Sequence, residues 1–267
     1  MKRSQVFLLF YIAAPLLLIA RVLQRFYMID PGTGFYQDGL SAAGAAVTVA
    51  FIAFPVVAHL LCRLSRPAQR RFPERSVPLA VGAFIAGACL ILETVDLLLR
   101  ESGAASFLLA FLSAVFAAVM ILRGLGALKV MRFSAWLTPV GTVYAVVRLI
   151  ARFADYTAEV AVADTVFDIL TMCLLLLFLH ADGKLQAGLA TEKIAASFLS
   201  FGLSTALLCA AVVLPDLIDL ALGGRFALYG GDLPEMSYLG FAVMALCAVF
   251  SVKPAGDAHP LDNGGNV

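Results

Sequence analysis

The chain has 267 residues, 62% of them hydrophobic and only 14% charged, with a formal net charge of +1 and a mean hydropathy of +0.95. A soluble domain is nearer half apolar and a quarter charged, and could not hide this much apolar surface from water. The apolar runs are continuous rather than alternating, which disfavours a β-barrel and points to an all-α integral membrane protein.

Eight transmembrane helices are expected, over about 6–27, 38–62, 77–99, 104–128, 134–154, 162–181, 194–221 and 234–252. Each has roughly the 20 residues that a bilayer requires. The first follows Met1-Lys2-Arg3 and is free of charge from Val6 to Ala20. It ends in "ARVLQRF", which carries Arg21 and Arg25. Leu18 stands where signal-peptide cleavage needs a small residue, so this span is expected to be retained. The next segment, "DPGTG", is turn chemistry, flanked by Tyr27, Phe35 and Tyr36 as interfacial aromatics. On span 2, Ala42, Ala46 and Ala50 form a small-residue ladder that suggests close helix packing.

The loop after span 2, "CRLSRPAQRRFPERS", is a topology determinant and a candidate surface for anionic headgroups or a partner. Span 3 ends in "LETVDLLL", with Glu93 and Asp96, and span 5 ends in "VRLIARF", with Arg148 and Arg152. Span 6 opens with Asp164 and Asp168, and span 7 ends in "PDLIDLAL", with Asp216 and Asp219. The tail from Pro254 is polar and rich in Gly and Pro, and is expected to be disordered.

With both termini cytoplasmic, every strongly basic loop falls on one side. That side carries 13 basic and 5 acidic residues, and the other carries 6 basic and 13 acidic. Short loops and a compact chain fit a bacterial cytoplasmic membrane.

The quoted motifs recur in order. R-x-x-x-R-F closes spans 1 and 5, and an acid followed three residues later by Asp-Leu-x-Leu closes spans 3 and 7. Arg21 to Glu93 is 72 residues, and Arg148 to Asp216 is 68. Residues 1–127 and 128–253 therefore read as two parallel four-helix repeats, followed by a disordered cytoplasmic tail over 254–267.

Residues three or four apart share a helix face. Arg21 with Arg25, Arg148 with Arg152, Glu93 with Asp96 and Asp216 with Asp219 are thus four charged faces at one depth, and Asp164 with Asp168 adds a further acidic face. Ion pairs between them would lower the cost of charge inside the bilayer. This cluster is the candidate substrate-binding or ion-pair site.

Catalytic residues, metal ligands and cofactors are not expected. The five cysteines scatter among the spans as small fillers, and His59 and His180 are single histidines near span ends. The leading expectation is a non-enzymatic binding or transport protein for a small charged solute. The alternatives are a sensor or assembly subunit in which the cluster is only structural, and an intramembrane enzyme using the carboxylates. Expected partners are the bilayer, that solute, and a membrane protein or second copy, with no nucleic acid.

Overall fold

A computed structural model describes residues 3–30, 35–65, 70–73, 75–100, 103–155, 162–189, 191–222 and 235–254. The helices are α1 (Arg3–Leu23), α2 (Ser41–Leu64), α3 (Val77–Arg100), α4 (Ala104–Ala127), α5 (Pro139–Asp155), α6 (Val162–Gln186), α7 (Glu192–Ala221) and α8 (Met236–Ser251). Each expected span falls on one of them. Backbone groups in hydrocarbon must be satisfied within the chain, and a helix does this locally.

Among the described residues, six helical stretches are long and apolar enough to cross a membrane: Phe10–Met28, Ser41–Leu64, Val77–Leu99, Ala104–Ala127, Thr165–Gln186 and Glu192–Ala221. The protein is an all-α, membrane-embedded, multi-pass chain. Helices α5 and α8 are shorter, at 17 and 16 residues. At 1.5 Å per residue they reach about 26 and 24 Å, against a hydrocarbon thickness of about 30 Å. The fifth expected span begins late because Ala135–Leu137 forms a 3-10 turn and Pro139 then opens α5. Proline suits a first helical position, since its missing N–H has no partner to lose there.

Helices α3, α4, α5, α6, α7 and α8 pack each on the next, and α8 closes back on α3. Phe116, Tyr144 and Phe241 fill the interior with ring centroids 5.3 to 6.0 Å apart. Helices α1 and α2 pack on each other and on the outside of α7. A second apolar cluster there joins Ala14, Phe51, Phe54, Phe167, Leu207 and Ala211. Helix α7 serves both clusters and has 16 buried residues among its 30.

Helices α3 and α8 approach closely through a reciprocal exchange of small residues. A Cβ on Gly82 would lie 2.6 Å from Cβ of Cys247, and one on Gly240 would lie 2.9 Å from Cβ of Cys89. Two cysteines thus serve as small packing surfaces, and all five are free thiols. The alanine ladder of α2 behaves otherwise. Ala42 and Ala46 are exposed, and Gly44 makes the close contact instead, against the Tyr36 ring.

Each end of the bundle has its own closure. At one end, Ile29 and Tyr36 form an antiparallel bridge around the turn segment, whose residues 31–34 lie outside those described. At the other, Arg70–Arg71 pairs antiparallel with Lys253–Pro254, and Ser76 Oγ lies 2.8 Å from Ser251 Oγ. Pro254, the first residue of the expected tail, is therefore paired; residues 255–267 lie outside those described.

Candidate functional site: a charged belt at one end of the bundle

Arg148 is 6% exposed, at the centre of the larger part of the belt. It pairs with Glu93 of α3, and its Nη2–H donates to Oε2 of Glu235, which immediately precedes α8. Its Nη1–H donates to Tyr144 Oη and, at 3.2 Å, to Ser237 Oγ. Tyr144 Oη–H in turn donates to Glu93 Oε2 at 2.8 Å. Ser113 Oγ–H donates to the Leu90 carbonyl at 3.1 Å and lies 3.4 Å from Glu93. Arg152, one turn on from Arg148, pairs with Glu235 and lies 3.8 Å from Asp168.

Arg21 is equally buried, with different company. Its Nη1–H donates to Gln24 Oε1 at 2.7 Å, and its guanidinium lies 4.0 Å from the centre of the Phe167 ring. Its Nε–H donates to the Ala211 carbonyl at 3.4 Å. That carbonyl is available for a covalent reason. Its helical donor would be the N–H of residue 215, and Pro215 has none.

Gln24 sits in a π-helical turn, Gln24–Met28, that ends the first helix. Its Nε2 reaches the Gly44 carbonyl at 2.7 Å and Tyr36 Oη and Thr48 Oγ1 at 3.0 Å. Arg25 pairs with Asp216 at 3.7 Å, in a more open position.

Asp168 stands between the two halves, near Arg152 and within electrostatic range of Arg21 and Asp216. Arg25, Arg148 and Arg152 therefore pair with Asp216, Glu93, Glu235 and Asp168, and with Arg21, on which Asp168 and Asp216 act electrostatically, the set balances to zero when ionised. A balanced, hydrogen-bonded set is the form in which buried charge is tolerable.

Of the residues singled out in the sequence, Arg21, Arg25, Glu93, Arg148, Arg152, Asp168 and Asp216 come together in this belt. Asp96 and Asp219 are half-buried one turn on from Glu93 and Asp216, and Asp219 acts electrostatically on Asp216. Asp164 belongs to α6, but its side chain lies outside those described.

Glu235, Gln24 and Tyr144 were missed. Glu235 had a legible signal: an acid just before an apolar helix, where the helix N-terminus favours negative charge. Tyr144, one turn before Arg148, read as one more apolar residue.

A separate ion pair lies at the opposite end. Arg123 Nη2–H donates to Asp182 Oδ1 at 2.8 Å, with both side chains buried. His59 is also accounted for, with Nδ1 2.9 Å from Ser200 Oγ and its ring stacked on Phe201. Among the described residues no group of three or more His, Cys, Asp or Glu side chains is placed to hold a metal. The chain matches no family model, no curated protein and no solved structure.

Proposed function

We propose that this is a multi-pass protein of a bacterial cytoplasmic membrane that binds, and moves, a small anionic solute at the charged belt. In this reading all eight helices span, both termini are cytoplasmic, and the belt faces outward. The observation that carries the reading is Glu235. Its carboxylate engages both Arg148 and Arg152, yet its side chain is 35% exposed and it sits outside the helices. A small carboxylate or phosphate offers the same oxygens and could take its place. Arg148, held by Glu93, Tyr144 and Ser237, would stay oriented to receive it.

The repeat reading gains support from how the pairs cross. Arg25 of the first quartet meets Asp216 of the second, and Arg148 of the second meets Glu93 of the first. Sites between such halves are where repeated membrane folds commonly bind solutes.

Glu235→Gln tests the proposal. Purified Glu235→Gln protein should melt at lower temperature than wild type in anion-poor buffer. It should recover on adding millimolar acetate, succinate or phosphate, while wild type responds less. Liposome-reconstituted wild type should then pass the most effective anion. If no anion shifts either protein, the belt is a structural clasp, and transport falls. That second reading is favoured by the number of protein partners each buried guanidinium already has. The enzyme reading is weakened by the same pairing, since it needs a carboxylate free to act on a substrate.

A further inference from the structure

At the end of the bundle opposite the belt lies a cavity of about 470 Å³, its walls including Phe72, Leu79, Phe133 and Leu185 and its polar side formed by Arg71 and Arg123. We propose that it is a site for a phosphate-bearing amphiphile, namely the headgroup and upper acyl region of an anionic phospholipid.

The geometry of Arg123 points there. Asp182 takes a hydrogen bond from Arg123 on one carboxylate oxygen, and on the other from Gln186 Nε2 at 2.9 Å. Both oxygens are thereby engaged, and the guanidinium meets the carboxylate end-on. Its Nε–H is left buried without a partner, on a side chain only 3% exposed that lines the cavity. A buried guanidinium donor without an acceptor is costly, and an anionic oxygen in the cavity would satisfy it.

The rim supplies a second, independent sign. Arg71 and Lys253 stand directly opposite each other in the two-residue ladder. Like charges at such a position repel, and an anion beside them relieves the repulsion. No acidic residue lines the cavity among the described residues.

The choice of a lipid over a soluble anion rests on the remaining walls and their surroundings. Phe133 belongs to the turn between α4 and α5, where Lys129 has a left-handed backbone at φ 65°. The same turn exposes Val130 and Met131 between Lys129 and Arg132, and four residues on exposes Trp136, at 90%. Exposed apolar and aromatic side chains among basic ones mark the membrane–water boundary. The cavity therefore opens at headgroup depth.

Trp136 is the single tryptophan of the chain and lies three residues from Phe133, so it reports on this site directly. The test uses full-length protein in nanodiscs and measures quenching of Trp136 by dibrominated phosphatidylglycerol and dibrominated phosphatidylcholine. Wild type should prefer phosphatidylglycerol by roughly fivefold, the scale of one basic contact to an anionic headgroup. Arg71→Ala should bring the ratio close to one. Arg123→Lys keeps a cation beside Asp182 but removes the Nε–H, and should also lower the ratio. Equal quenching by both lipids in wild type would overturn the proposal, as would a preference that both variants retain. Loss of the preference on adding millimolar inorganic phosphate would overturn the lipid as the source of the anion. Because this site shares no residue with the belt, its failure leaves the Glu235 experiment untouched, and the reverse also holds.

Discussion

Two copies of R-x-x-x-R-F end α1 and α5, and their first arginines are buried alike but partnered differently. Arg148 meets carboxylates, Glu93 and Glu235, together with hydroxyls. Arg21 meets an amide oxygen, a backbone carbonyl and an aromatic face. Two positions account for the divergence. Where α1 has Gln24, α5 has Ala151, so α5 offers no local amide and its arginine reaches across the bundle. Where α7 has Pro215 before its acid, α3 has Leu92, whose N–H can serve its own helix. A motif thus fixes the position and depth of a guanidinium. Its neighbours decide whether carboxylates touch it, as at Arg148, or an amide, a carbonyl and a ring do so while Asp168 and Asp216 act on it electrostatically, as at Arg21.

The largest test of this contrast replaces each arginine by alanine. Arg148→Ala strands Glu93 beneath the surface and should cost about 3–5 kcal/mol in unfolding free energy. Arg21→Ala loses hydrogen bonds to neutral acceptors, a cation–π contact and its charge's action on Asp168 and Asp216, for about 1–3 kcal/mol. Reversible unfolding in mixed micelles reads both. Equal losses would erase the distinction.

Pro215→Ala sharpens it at intermediate size. The new N–H should claim the Ala211 carbonyl and take an acceptor from Arg21. In that background Arg21→Ala should cost about 1 kcal/mol less than in wild type, the net value of one hydrogen bond. A double-mutant cycle with no coupling would show that the Arg21 contact to α7 is incidental.

The smallest effect is expected for the open pair. Asp216→Asn should change stability by about 0.2–1 kcal/mol, since exposed ion pairs at this separation contribute little. A loss as large as that of Arg148→Ala would place Arg25 and Asp216 on the same footing as Arg148 and Glu93.

The sequence made the helices legible, because a run of about 20 apolar residues has few other homes. Arg21, Glu93, Arg148 and Asp216 were also legible, since charge at helix ends in so apolar a chain needs a partner. Glu235 had one signal, its place just before an apolar helix, but the Gly- and Pro-rich sequence ahead of it makes that acid look like ordinary surface. Arg123 was not legible as a buried ion pair, because nothing in its own neighbourhood announces that Asp182, 59 residues on, lies against it. The alanine ladder of α2 misled for the converse reason. Small residues permit close packing, but which face meets a neighbour depends on where α7 sits.

The reciprocal seating of Gly82 on Cys247 and Gly240 on Cys89 has a consequence in time. Helix α3 is made before α8, so during synthesis α3 must wait while four further helices emerge before its partner exists. Until then its glycine face and the inner wall of α7 have no mate, and lipid or an insertion chaperone must occupy them. Joining α3 to α8 is accordingly the step that shuts the ring, and it must wait until α8 has been made. A bulky side chain at Gly240 would act at that moment. It would leave early helices inserted and the last one outside its slot, a defect visible as protease sensitivity of nascent protein rather than as a changed binding constant.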